Sequence, residues 1–250
     1  MTEVTPAREA PVPTLVPALL SFVAGYVDSY TYLALFGLFV AQVTGSFVIA
    51  GAELVTRDYG IAGKLLAIVA FVVAAALTAA LIGVARNAGR AALPWMLGLE
   101  AALLAVFVAM LLFGPPIKGA TDWHGIVAGL IAAAAMGAQS VLVRLLMKGI
   151  PQTNVMTGNM TQLGITTTEI IMAWRRLARE PGNRALAEEF AEVRSRLTIV
   201  LAVAVGFLLG ATAGAIAFAT THVRGALAAV ALVGALALWA VYRENTIASP

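Results

Sequence analysis

Residues 25–47 read GYVDSYTYLALFGLFVAQVTGSF, and residues 137–160 read GAQSVLVRLLMKGIPQTNVMTGNM. Laid over each other, Gly25 meets Gly137 and Gly37 meets Gly149 at a shift of 112, while Thr44-Gly45 meets Thr157-Gly158 at a shift of 113. One inserted residue reconciles the copies. A unit written twice, each copy interrupting apolar sequence with polar residues and glycine, is the pattern of membrane transport proteins built from internal repeats.

The surrounding chain supports a lipid environment. With 61% hydrophobic and 12% charged residues among 250, and a mean hydropathy of +0.92, there is too little polar surface to cover a soluble domain. Charge-free stretches at residues 65–85, 123–143 and 197–221 are long enough to cross a hydrocarbon core, which takes roughly 20 helical residues. Residues 225–242 form a shorter unbroken stretch, 93–113 contain Glu100, and 14–36 contain Asp28. The expected fold is all-α: a polytopic membrane bundle of two sequence-related halves, with six spans and two Thr-Gly segments at residues 38–55 and 150–173. Those two segments are broken, re-entrant or short spanning helices. If they cross, each half has four spans and the repeats are parallel; if they return, each half has three and the repeats are inverted.

The halves divide at GPPIKGATD, residues 114–122, giving a first membrane repeat over 14–113 and a second over 123–242. Residues 1–13, MTEVTPAREAPVP, are polar and proline-bearing with no cleavable signal pattern, and read with 243–250 as tails. Arg175, Arg176, Arg179, Arg184, Arg194 and Arg196, six of the 16 basic residues, share one loop, which the positive-inside rule makes cytoplasmic. Both termini then lie in the cytoplasm, with the protein in the inner membrane. Residues near 183–196 are expected to form a cytoplasmic helix, capped by Asn183 after Pro181-Gly182. These arginines flank membrane ends instead of interleaving with aromatics, so the partners expected from a pI near 9.5 are membrane lipids, not nucleic acid. A homo-oligomer is left open.

Small residues recur every four positions at Gly206, Gly210 and Gly214, at Ala70, Ala74 and Thr78, and at Gly125 and Gly129. That spacing lets helix backbones approach closely.

Asp28 is the leading candidate for an ion-responsive group, because an acid inside a span costs roughly 2.5–3.5 kcal/mol on insertion scales and normally faces a cavity or partner. Its structural alternative is an ion pair, for instance with Arg144, or a wet helix end. Thr44, Gly45 and Ser46, with Thr157, Gly158 and Asn159, form the second constellation, thickened by Gln42, Thr153, Asn154, Thr161 and Gln162. Glycine frees the backbone, and the polar side chains satisfy groups that lipid would leave unbonded; the alternative is polar glue between helices. Gln139 and Ser140 stand where the first copy has Val27 and Asp28, so the halves are chemically unequal. Glu100 is either a second coupling acid or a boundary residue, and Glu53 and Glu169 read as solvated. Two histidines, His124 and His222, and no cysteine make a metal site unexpected. No zinc-protease, nucleophile-elbow, Walker or dinucleotide motif is present, so neither an enzyme nor a cofactor is expected.

AGYVDSYTYL at 24–33, VTGSF at 43–47, AMGAQS at 135–140 and VMTGNMTQLG at 155–164 together resemble the YoaK family of bacterial integral membrane proteins of unknown function. The resemblance implies a polytopic cytoplasmic-membrane protein and no particular substrate. Ser46 departs from the Thr-Gly-Asn usual in the first copy, and Ser140 from the Asn expected after Gln139. The expected function is secondary transport or export of a small solute, proton- or cation-coupled through Asp28. A passive channel and a non-transporting scaffold or assembly protein are the alternatives.

Overall fold

A computed structural model describes residues 13–56 and 60–248. Among them the chain is helical with no strand: α1 (Leu15–Ala34), α2 (Val43–Thr56), α3 (Ile61–Asn87), α4 (Leu93–Phe113), α5 (Trp123–Leu146), α6 (Met156–Arg179), α7 (Arg184–Thr221), a 3-10 turn (His222–Ala226) and α8 (Leu227–Ala248). Residues 1–12, most of the expected N-terminal tail, lie outside the described residues. Four helical stretches, Ile61–Asn87, Leu93–Phe113, Trp123–Leu146 and Arg184–Thr246, are long and apolar enough to cross a membrane. Val69, Val72, Val73 and Leu77 of α3 and Leu208, Leu209 and Ile216 of α7 point outward, which is consistent with a membrane protein.

Glycines set the packing. On α7, a Cβ at Gly206, Gly210 or Gly214 would strike the backbone carbonyl of Ala18, Phe22 or Tyr26 in turn, so α1 and α7 run parallel with their backbones in contact. A Cβ at Gly63 would meet Ile126, and one at Gly137 the Phe71 carbonyl, so α3 and α5 are parallel too. α4 packs against α5 and α8, and α6 lies antiparallel on α7, joined by Arg176 to Glu189 at 2.7 Å and Arg196 to Glu169 at 3.8 Å. The expected soluble helix near 183–196 is the first part of α7, which continues unbroken to Thr221. Asn183 caps it as expected, accepting from the N–H groups of Ala185 and Leu186. Asp122 caps α5, and N–H bonds from Lys118 and His124 hold its carboxyl below the usual range. The 3-10 turn between α7 and α8 is tied to α1 by the hydroxyls of Tyr26 and Tyr30, which donate to the Gly225 and His222 carbonyls at 2.6 and 2.7 Å.

The sharpest reversals fall at the Gly37 and Gly149 positions of the two copies. Phe36 (φ 55°), Gly37 (φ 82°) and Gly149 (φ 79°) are left-handed, and Gly37 N–H closes α1 on the Tyr32 carbonyl at 2.8 Å, a glycine-ended helix stop. After Gly37 the chain doubles back along α1, so that residues 40–42 lie beside Asp28. α2 therefore starts beside the body of α1. Its far end returns to the C-terminal end of α1, because Glu53 pairs with Lys64 at 2.6 Å while the Lys64 ammonium also reaches the Phe36 carbonyl at 3.5 Å.

Candidate functional site

In α1, one turn after Ala24 and two turns before the helix ends, Asp28 is 2% exposed. Its Oδ1 accepts from the N–H groups of Val40 at 2.8 Å and Ala41 at 2.7 Å, and its Oδ2 accepts from Gln42 at 2.9 Å. Three donors just ahead of α2 converge on one carboxylate, the arrangement in which an anion complements the positive end of a helix. The ion pair with Arg144 is not formed; Arg144 is exposed on α5. The carboxylate instead holds the reversed loop against its own helix.

The second loop uses amides and hydroxyls for the same task. Gln139 Nε2 donates to the Leu20 carbonyl and to Thr153 Oγ1, both at 2.8 Å, and Ser140 Oγ to Gln152 Oε1 at 3.4 Å. Ser21, a residue the sequence reading passed over, donates to the carbonyls of Thr153 at 2.9 Å and Val203 at 2.8 Å. A polar residue within the apolar run from Leu15 to Gly25 was its available signal.

The two loops touch. Asn154 Nδ2 donates to the Ala41 carbonyl at 3.3 Å, linking a residue two positions ahead of α6 to one that Asp28 holds two positions ahead of α2. The Thr-Gly pairs open these helices: Thr44 and Gly45 lie in the first turn of α2, Thr157 and Gly158 in the first turn of α6. Ser46 Oγ donates to the Phe39 carbonyl at 2.8 Å and Asn159 Nδ2 to the Gln152 carbonyl at 2.6 Å, each reaching seven residues back to brace its loop. Asn159 and Ser46 are buried, whereas Thr44, Thr157 and Gly158 are exposed and Gln42 and Gly45 partly so. The structure thus brings together Asp28, Gln139, Asn154 and the loop backbones, and leaves Thr44, Thr157 and Gly158 on the outer side of the helix starts. Two small pockets, of about 20 and 10 Å³, lie away from this junction: Leu38, Lys64 and Ile117 line one, and Tyr26, Leu104 and Ala229 the other.

Residues 16–240 match the family described as a protein of unknown function, DUF1275. The chain belongs to the DUF1275 family. No curated protein and no solved structure matches it. The two loops and Asp28 of α1 fall inside the DUF1275 match, so the site belongs to the body of the family's domain.

Glu53 and Glu169 are more enclosed than the sequence suggested, and Glu100 is buried outright. Glu53, read as solvated, pairs with Lys64, whose side chain is 2% exposed; such a pair is costly to break because the survivor is left buried and uncompensated. Glu169, also read as solvated, is half-buried and faces Arg196. Glu100 is fully buried, with no partner for either carboxyl oxygen. Among the described residues no group of three or more His, Asp or Glu side chains could hold a metal.

Proposed function

We propose that this protein is a secondary transporter or exporter of a small polar solute, with the passage between two sequence-related halves where the loops before α2 and α6 meet. The observation that carries it is the Asn154 to Ala41 bond. Polar chain reversals inside apolar sequence are tolerated only where protein or water satisfies them, and the meeting of two such reversals is the kind of place where transporters bind solutes.

The halves read as an inverted pair. The α1/α7 contact has its counterpart in α5/α3: Gly25 sits against the Phe207 carbonyl as Gly137 sits against the Phe71 carbonyl. The braces of Ser46 and Asn159 correspond in the same way. In this reading α1, α3, α4, α5, α7 and α8 cross, while α2 and α6 enter and return from opposite sides. At 14 residues, α2 is about 21 Å long, short of the core thickness of about 30 Å. The end of the bundle holding Arg86, Arg90, Lys148 and the six arginines of the α6–α7 hairpin would be cytoplasmic. Among the described residues the opposite end has only Lys64, Lys118 and Arg224 as Lys or Arg.

The native chain lacks cysteine, so single cysteines report topology directly. Thr56→Cys and Gly119→Cys are expected to react with a membrane-impermeant maleimide from the external side, and Gly182→Cys only from the cytoplasmic side. Cytoplasmic labelling at positions 56 and 119 would mean eight crossings and parallel repeats.

Function is read at the helix starts. Thr44→Cys and Thr157→Cys are expected to react with a small charged thiol reagent, from one side at a time, as the cycle exposes them. Simultaneous access from both sides would make the passage a pore. The full bonding of Asp28 favours a second reading, a non-transporting membrane scaffold; silence of both thiols from either side would establish it.

A further inference from the structure

We propose that Glu100, and not Asp28, is the proton-binding group of this cycle, protonated in the packed form seen here and ionised when α4 parts from α8. Its place in the coupling rests on the transport reading; its protonation stands on the packing around it. Asp28 already has three N–H donors on its two oxygens, a set that matches a carboxylate. Glu100 is 0% exposed and both of its oxygens lack a donor.

Its neighbours explain why it is not a stable carboxylate. Leu97 and Leu104, three residues before and four after on the same face of α4, belong to two different apolar clusters: Leu97 packs with Leu142, Leu236 and Ala240, and Leu104 with Met136, Ala229 and Val233. Glu100 therefore lies at the boundary between the two cores. On α5 that boundary is occupied by Gln139, whose Oε1 is also buried without a donor. A carboxylate with neither oxygen bonded is uncompensated there, whereas a protonated Glu100 is neutral and brings an O–H of its own.

Among the described residues no ion pair is formed by Glu100. α4 carries no further titratable residue. On the elements packed against α4, His124 lies at the start of α5, bonded to the Met110 carbonyl at 3.0 Å, and Arg144 is exposed. His222 and Arg224 are exposed in the 3-10 turn, and Tyr242, Arg243 and Glu244 lie near the end of α8, where Arg243 stacks over Trp239 at 5.4 Å. Of the tyrosines on α1, Tyr26 and Tyr30 spend their hydroxyl hydrogens on Gly225 and His222. Release of the Glu100 proton, to water entering the seam, leaves a carboxylate that the closed seam does not solvate, so ionisation and opening of the α4/α8 contact are one event.

The test is infrared spectroscopy of the full chain in proteoliposomes across pH. A carbonyl band of an un-ionised acid is expected near neutral pH and is lost as pH rises; it shifts when glutamate is ¹³C-labelled and stays when only aspartate is labelled, which needs no substitution. The band is expected to vanish in Glu100→Gln and survive in Asp28→Asn, and Glu100→Gln is expected to leave at positions 44 and 157 only the pH dependence of the thiol's own ionisation. Absence of a glutamate band at neutral pH, or a band that never titrates, overturns the proposal. A titrating band with silent thiols sinks the transport reading and keeps the proton site; reactive thiols without a titrating band do the reverse.

Discussion

Asp28→Ala is expected to unfold the first loop. The substitution leaves the N–H groups of Val40, Ala41 and Gln42 without an acceptor where Asp28 now holds them at 2.7 to 2.9 Å, and a buried donor left unpaired costs about 1–3 kcal/mol. Val40 and Ala41 are themselves buried, so the total is on the order of several kcal/mol, a large part of the stability of a typical domain. Asp28→Asn keeps one acceptor oxygen but turns an amide NH₂ toward a remaining N–H, and its loss should be intermediate. Thermal unfolding in detergent, with proteolysis between residues 35 and 42, gives the ranking wild type, Asn, Ala. A fully stable Asp28→Ala protein would show that the clamp contributes nothing.

Gly210→Leu is expected to separate α1 from α7. A Cβ at this position falls on the Phe22 carbonyl, and Gly206 and Gly214 are equally crowded by Ala18 and Tyr26, so there is no direction in which the added side chain can settle. Forcing extra volume into a packed contact costs about 1–3 kcal/mol and occasionally more, and here the obstruction is backbone. Gly164→Ala, on an exposed position of α6 where a Cβ meets nothing within 4 Å, is the matched control; it should be neutral, or stabilising by roughly 0.5–1 kcal/mol. The measurement is the monodisperse fraction on size exclusion with thermal unfolding of the recovered protein. Equal behaviour of the two variants would remove the close contact as the determinant of packing.

The two polar segments were legible because glycine and polar residues are conspicuous in apolar sequence, but the chain turns at Gly37 and Gly149, ahead of the Thr-Gly pairs, which lie within the first turns of α2 and α6 and not at a helix break. Helix positions followed for the same reason, and the small residues of α7 marked a contact that the coordinates place against α1. The site was read less well. Acids were ranked by depth in a hydrophobic stretch, which put Asp28 first and left Glu100 ambiguous. What distinguishes them is the partner: Asp28 faces backbone donors 12 to 14 residues ahead, and Glu100 faces side chains with no donor to offer. Lys64 and Glu53 escaped for a related reason, since each sits near a helix end where solvation is the ordinary fate.

By itself the sequence determined that this chain is helical and apolar and that polar, glycine-bearing stretches interrupt it; these follow from composition and from local backbone preference, which act over a few residues. Only the tertiary structure decided which carboxylate is bonded and which is bare, and that the two loops meet at Ala41 and Asn154, 113 residues apart. Hydrogen-bond satisfaction depends on which distant backbone arrives at a side chain, and no local property of Asp28 or Glu100 encodes that arrival.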